Sequence, residues 1–409
     1  MRLTWKKEWT TIVILFLVLR VIYSALGAYA VIAWNPQEFA HDPIYPTTVS
    51  LLHLDQFSRL FINVWFRWDT VWYLKVAAFG YGAKDFTTGF MPLYPWLIRI
   101  ASFLLNGNYL LAAILIANAA CLVSLILLYE LALQEGLAKE TASQAVLFFL
   151  LFPTAFFLFA AYTEAPFLVL LLAAWLFARR KNWLSAGLLA SVATLLRSQG
   201  VLLSVVFLWA FLVESAGASG KQPFDQVRQL FHLVTSRSGW VSLLPRLKRP
   251  DWLATMLPLV VFGGYSLWLR MAGMYSFIAA SKYGWGRITV MPWTGFWLFL
   301  NRLLYNQHTY IDYIDLLLFM LALALSIYGL FQLNSDLSLY NWLTLTLIMM
   351  ASSKQQLLLS FSRLFLVLFP LFFLMAKIRS PRLRMALLAA SFGLQLILLA
   401  GFLNWSFIA

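Results

Sequence analysis

Apolar residues run along the chain in long blocks separated by short polar stretches, at about 11–33, 109–133, 142–161, 165–179, 252–271, 313–333, 338–351, 361–376 and 384–404. Most of these approach the ~20 residues a helix needs to cross a ~30 Å hydrocarbon core, where backbone polar groups must be satisfied inside the protein. The blocks therefore predict membrane-crossing helices. The block from Asn182 to Val213 is too long for one comfortable crossing and is interrupted by Arg197-Ser198-Gln199-Gly200, which predicts two short helices meeting at a polar hairpin. The stretch from Pro92 to Asn106 differs, because at 1.5 Å per residue it reaches only ~22 Å. Its Leu93, Trp96, Leu97, Ile100 and Leu104 recur at helical spacing with Arg99 and Ser102 elsewhere on the wheel, the pattern of an amphipathic helix lying at the membrane surface.

Composition agrees with this pattern. Of 409 residues, 62% are hydrophobic and 11% charged, against about 25% charged in a soluble domain. The formal charge of +14 sits mainly in short loops between apolar blocks, which makes it a topology signal and gives no reason to expect a nucleic-acid partner. Laying 92–106 flat and counting 182–213 as two crossings puts Lys6/Lys7, Lys139, Arg179-Arg180-Lys181, a basic loop 214–251 and Lys377–Arg384 on the cytoplasmic side. That arrangement implies an all-α polytopic membrane protein with about eleven crossings, forming a single domain over 1–409. It places 34–108 as a first outer loop carrying amphipathic interfacial helices, with 162–164, 272–312 and 352–360 on the same outer face. Arg2, Lys6 and Lys7 before an apolar run resemble a secretory signal, but the run continues to Trp34 and is interrupted by Arg20, which favours an uncleaved anchor.

Unusual polar residues concentrate on the outer face. Phe66-Arg67-Trp68-Asp69-Thr70-Val71-Trp72-Tyr73 is followed by Gly80-Tyr81-Gly82 and Phe90-Met91-Pro92-Leu93-Tyr94-Pro95. An acid flanked by arginine and aromatic side chains at a membrane surface suits a site that stacks a sugar while a carboxylate takes a hydroxyl proton. An interfacial aromatic belt with a solvated aspartate would leave the same pattern. Glu164 lies between two apolar blocks, where a lone carboxylate is costly, and Arg197 interrupts another; Arg363 opens a block at the same face. Each has a plainer alternative: a loop acid, a structural ion pair, or an arginine reaching to the interface. Asp85 lies in a Gly/Thr-rich stretch that reads as a flexible turn. His41, His53, His232 and His308 form no HExxH or paired arrangement, and the lone Cys121 excludes a disulfide framework and a cysteine metal site. No Walker lysine motif or Gly-rich dinucleotide turn is present.

These residues resemble the PIG-V family, which includes the second mannosyltransferase of GPI-anchor assembly and its prokaryotic relatives. Arg67-Trp68-Asp69, Tyr73-Leu74, Gly80-Tyr81 and Phe90–Pro95 are similar to that family's first luminal loop. Tyr162-Thr163-Glu164 is similar to its Tyr-Ser-Glu element and Leu196–Gly200 to its Arg-Ser-Asn-Gly element. Tyr283–Arg287 and Ser362-Arg363-Leu364 through Phe369-Pro370 are similar to later elements of the prokaryotic members. Trp72 stands where some members have His, Thr163 replaces Ser, and Gln199 replaces Asn. The resemblance implies a GT-C-type fold in a bacterial or archaeal membrane, with its active site on the outer face. The donor would be a polyprenyl- or dolichyl-phosphate sugar and the acceptor a glycolipid or other membrane molecule. Asp69 would be the catalytic residue, a general base or an acid that positions the acceptor. Substrate would be held by Arg67, Trp68, Tyr94, Tyr162, Glu164, Arg197, Gln199, Trp285, Arg287 and Arg363, with Arg197, Arg287 and Arg363 as candidate phosphate ligands. The resemblance leaves open whether a divalent cation assists. A transporter or lipid flippase is the competing class, since intramembrane arginine and a broken helix also mark substrate paths. It would be expected to show related halves and acids deep in its spans.

Overall fold

The computed structural model describes residues 6–34, 48–216, 223–236, 250–304, 309–353 and 360–408. The described residues are mostly helical. Helix α1 (Lys7–Trp34) leads into an outer segment with α2 (Gln56–Phe61), α3 (Asp69–Phe79) and α4 (Leu93–Phe103). A bundle follows: α5 (Tyr109–Gln134), α6 (Lys139–Leu150), α7 (Glu164–Arg179), α8 (Trp183–Thr194) and α9 (Leu202–Ala216). Beyond α10 (Pro223–Thr235) come α11 (Asp251–Met271), α12 (Phe277–Trp285), β1 (Arg287–Thr289) and α13 (Pro292–Leu304). The chain then forms α14 (Tyr310–Gln332), α15 (Ser335–Met350), β2 (Ala351–Ser353), α16 (Phe361–Leu364), α17 (Pro370–Met375) and α18 (Pro381–Leu403). The two short strands pair antiparallel, Arg287 opposite Ser353.

Six of the described helices are long and apolar enough to cross a membrane: α1, α5, the 198–215 stretch of α9 with its lead-in turn, α11, α14 and α18. Their exposed sides are apolar, for example Leu17, Val18 and Val21 on α1 and Leu259, Val260 and Leu267 on α11. In water such surfaces would aggregate; against lipid they are at equilibrium. The inner packing is close where small residues allow it. A Cβ on Gly187 of α8 would sit 2.0 Å from the Ala254 carbonyl oxygen of α11, so glycine there is what lets the two backbones touch.

Several sequence expectations take definite form. The 182–213 block is indeed two helices, with Arg197 in extended conformation at the break. The 92–106 stretch is the short helix α4, which buries Tyr94, Ile98 and Ser102 against the protein and turns Trp96, Ile100, Phe103 and Leu104 outward. Two expected spans are instead broken. The 142–161 block is helical only to Leu150, then passes through buried turns to Tyr162. Pro153 cannot continue a helix, and the freed carbonyls are satisfied by side chains from elsewhere. Gln395 Nε2 donates to Phe152 O at 2.7 Å, Ser391 Oγ to Leu151 O at 2.7 Å, and Asn118 Nδ2 to Phe159 O at 2.9 Å. The 361–376 block likewise divides into α16 and α17 around Phe369-Pro370, with Tyr340 Oη donating to Val367 O at 2.8 Å. His41 and His308, and most of the 214–251 loop outside α10, lie outside the described residues.

Ion pairs gather at the two ends of α7. At its C-terminus Arg179 is clasped by Glu135 and Asp336. Lys6–Glu130 at 2.6 Å and Lys181–Glu214 at 3.0 Å involve residues beside helix ends that the charge pattern assigns to the same side. Glu164, at the α7 N-terminus, belongs to a different cluster, roughly 22 Å away at 1.5 Å per helical residue.

Candidate active site

Asp69 is the first residue of α3, and the backbone turns sharply to place it there: Trp68 has φ 50° and ψ −116°, a conformation that costs a non-glycine residue strain. Tyr162 braces this turn. Its hydroxyl accepts from the Asp69 N–H at 3.3 Å and donates to the Arg67 carbonyl at 3.4 Å. Burial and the nearby Asp69 charge raise the Tyr162 pKa, so the phenol stays neutral and able to do both.

Four elements distant in sequence then meet. Arg363 of α16 bridges the two acids, with Nη1 2.7 Å from Asp69 Oδ2 and Nε 3.3 Å from Glu164 Oε1. Glu164 is 0% exposed, and its Oε1 also meets Arg197 Nη1 at 2.5 Å. Arg197 is held in turn by Gln199 Oε1 at 2.9 Å and Thr163 Oγ1 at 3.2 Å. Thr163 lies 3.1 Å from the Tyr73 hydroxyl. Burial first, then the charges of Asp69 and Glu164, push the Tyr73 pKa up, which keeps that hydroxyl protonated.

Arg287, at the start of β1, completes the group. It is electrostatically coupled to Asp69, Arg363 and Arg197. Burial lowers its pKa, Asp69 opposes that shift, and the two arginines add to it. Its buried Nε has no hydrogen-bond partner among the described residues. Three guanidinium groups thus face two carboxylates, leaving one positive charge over, and among the described residues two buried donors of the cluster, Arg287 Nε and Arg363 Nε, make no hydrogen bond, a combination that favours an anion. The same inventory does not fit a divalent cation. Both carboxylates are already paired to guanidinium, and among the described residues no three His, Cys, Asp or Glu side chains come together.

An aromatic wall stands beside the charges. Trp72 stacks on Phe90 with centroids 5.6 Å apart and meets Trp285 edge-on at 5.0 Å. Trp285 rests on Gly89, where a Cβ would come within 2.7 Å of the indole, and Arg287 lies 6.0 Å from the Trp285 ring.

Of the residues singled out from sequence, Asp69, Tyr162, Glu164, Arg197, Gln199, Trp285, Arg287 and Arg363 come together. Arg67, Trp68 and Tyr94 are directed elsewhere. Arg67 donates to the Leu403 carbonyl at 3.0 Å and stacks 4.6 Å from Trp405; Trp68 packs edge-on against Trp405 and Phe407. Tyr94 is fully buried and donates to the Ala113 carbonyl at 2.9 Å. Sequence reasoning passed over Tyr73 as a polar participant, although it belonged to the first block; its hydroxyl role depends on a partner 90 residues away. The Asp85 turn is tied down as well, by Lys75 at 2.8 Å and by Thr87. Those bonds outweigh the opposing effect of burial and hold its carboxyl below the usual aspartate range.

The sequence profile of the mannosyltransferase (PIG-V) family matches residues 6–244. No curated protein matches the chain. Among solved structures, the Archaeoglobus fulgidus oligosaccharyltransferase tethered with an acceptor peptide is 13% identical, with 99% of this chain and 56% of that chain covered and a TM-score of 0.42. Its apo form gives 13%, 98%, 56% and 0.43. The archaeal oligosaccharyltransferase AglB from the same organism, in complex with an inhibitory peptide and a dolichol-phosphate, gives 12%, 96%, 55% and 0.39. The chain spans about half the length of these structures.

Proposed function

The chain belongs to the mannosyltransferase (PIG-V) family of integral membrane proteins, and on that premise we propose that it moves a mannosyl residue from a polyprenyl-phosphate donor to a membrane-embedded acceptor. Family membership supports glycosyl transfer, and we read the helical architecture as GT-C-type with about eleven crossings. The observation that carries the lipid-phosphate reading is Arg287, whose buried Nε has no partner among the described residues and whose charge is the surplus over the two carboxylates of the cluster. A sugar phosphate ester supplies the missing anion, and its polyprenyl tail would remain in the bilayer beside the site.

The chemistry follows from the placement. Asp69 takes the proton of the acceptor hydroxyl as that oxygen attacks the sugar C1, and the bond from C1 to the phosphate oxygen breaks with inversion. The departing phosphate gains negative charge, which Arg287 and Arg363 stabilise more strongly in the transition state than in the ground state. Arg363 also anchors the Asp69 carboxylate at 2.7 Å, and Glu164 keeps Arg363 and Arg197 from repelling each other. The wall of Trp72, Phe90 and Trp285 offers a stacking surface for the sugar. The site faces the outer side in this reading, because the pairs at the other end of α7 include the basic clusters of the charge pattern.

The test is a purified protein in nanodiscs given polyprenyl-phosphate-[14C]mannose and a lipid extract as acceptor source. Label should pass to a new lipid-extractable product. No transfer above an Asp69→Asn control, with extracts from several sources, would overturn the assignment.

A further inference from the structure

Among the described residues Arg363 is the one side chain that pairs with both acids of the cluster, yet its own support is thin. It lies in the four-residue helix α16, and the preceding Ser360 has φ 58° and gives that helix no side-chain cap. The peptide groups around the neighbouring Ser362 are instead gripped from two other elements. Asp315 of α14 accepts the Ser362 N–H at Oδ1, 2.9 Å away, and Thr154 of the broken 151–163 segment donates its hydroxyl to the Ser362 carbonyl at 2.7 Å. Asp315 is 6% exposed within a helix apolar enough to span the membrane. No Lys, Arg or His among the described residues pairs with it. Its interacting groups are Ser362 and the like-charged Asp312. An acid in that setting is costly and brings no ion-pair return, so packing alone gives no reason for its presence.

We propose that Asp315 is a positioning residue for glycosyl transfer, fixing α16 through the Ser362 N–H so that Arg363 reaches Asp69 and Glu164 together. The inference rests on the reading of Arg363 as part of the active site. Its requirement is geometric: Arg363 must hold 2.7 Å to one carboxylate and 3.3 Å to another on a different element. A shift of about 1 Å in α16 would break that double contact, and misplacements of this size can cost roughly 100-fold in rate.

The experiment compares Asp315→Asn, Asp315→Leu and Thr154→Val, each alone and combined with Arg363→Met, in the nanodisc transfer assay with kcat normalised to folded protein. Asparagine keeps an oxygen acceptor for the Ser362 N–H and should retain most of the rate. Leucine removes the acceptor and also a buried unpaired acid, so thermal stability should hold or rise while kcat falls roughly 10–100-fold. Thr154→Val should act in the same direction but more weakly. In the Arg363→Met background all three should have little further effect, because the group they position is gone. Wild-type kcat in folded Asp315→Leu, or an undiminished loss in the Arg363→Met background, overturns the proposal. If Asp315→Leu does not fold, wild-type kcat in Thr154→Val overturns it. Failure of the proposed function is distinguishable, since the wild-type protein would then transfer no label at all.

Discussion

Replacing Asp69 with asparagine separates what that carboxylate does for the fold from what it does for the reaction. The side chain keeps its shape and one acceptor oxygen toward Arg363 but loses its charge and most of its basicity. The Asp69 side chain is 26% exposed and that of Arg363 8%, but asparagine keeps an acceptor for the guanidinium and Glu164 still neutralises it at 3.3 Å, so the loss of stability stays small. The Tyr162 brace acts on the Asp69 backbone and is untouched. The catalytic loss is larger: general-base contributions are typically 10²–10⁴-fold, or about 3–5 kcal/mol of barrier. Purified Asp69→Asn should therefore unfold within a few degrees of wild type while kcat for mannosyl transfer falls by that factor. Asp85→Asn is the control, because Asp85 is engaged by Lys75 and Thr87 rather than by the cluster, and kcat should stay near wild type. Near-normal transfer by well-folded Asp69→Asn would refute the reasoning and move suspicion to Glu164. A large loss of stability would show that Glu164 alone does not neutralise Arg363.

Glu164→Ala removes the fully buried acid between two guanidinium groups, and breaking such a pair from one side costs about 3–5 kcal/mol. The expected result is a clear fall in thermal midpoint together with lost activity, whereas an unchanged midpoint would contradict the cluster's description. Gly187→Leu should force α8 and α11 apart, since even a Cβ meets the Ala254 carbonyl oxygen at 2.0 Å. Reduced yield of folded protein in detergent checks this, and wild-type yield and midpoint would oppose it. For topology, single cysteines replacing Lys84 and Lys181, both exposed, are introduced in a background lacking Cys121. An impermeant thiol reagent on intact cells should label the cysteine at position 84 and spare the one at 181; the reverse pattern would invert the assigned faces.

Much of the helical layout was legible because length, hydropathy and charge act locally. The end of α1, the α8–α9 break at Arg197 and the surface helix α4 each follow from a pattern within a few turns of chain. The broken segments after Leu150 and around Phe369-Pro370 were not legible as breaks. A buried turn whose carbonyls are satisfied by Gln395, Ser391 and Asn118 has the same apolar composition as a helix, and its partners lie far away in sequence. The site divides in the same way. Glu164 and Arg197 stood out singly, as charges where charge is costly, Asp69 as an acid among arginine and aromatic residues, and Arg363 as an arginine opening an apolar block at the outer face. That one arginine joins two of the acids across 294 residues of sequence belongs to tertiary packing. Closeness in sequence also misled: Arg67 is two residues from Asp69, yet its guanidinium turns to Leu403 and Trp405 because Trp68 reverses the backbone between them. Asp315 did carry a signal, as an acid inside an apolar block, but its connection to Arg363 runs through a backbone N–H that side-chain patterns cannot reveal.

The central claim is that the surplus guanidinium of Arg287 meets the donor's phosphate opposite Asp69. Equilibrium binding of polyprenyl phosphate, without sugar, to wild-type protein and to Arg287→Gln in nanodiscs tests this directly and does not depend on turnover. A charge-assisted hydrogen bond contributes about 1.5–3 kcal/mol, so the account predicts that Kd weakens roughly 10- to 150-fold in the variant while its thermal midpoint is retained. Equal affinity of the two proteins for polyprenyl phosphate would contradict it.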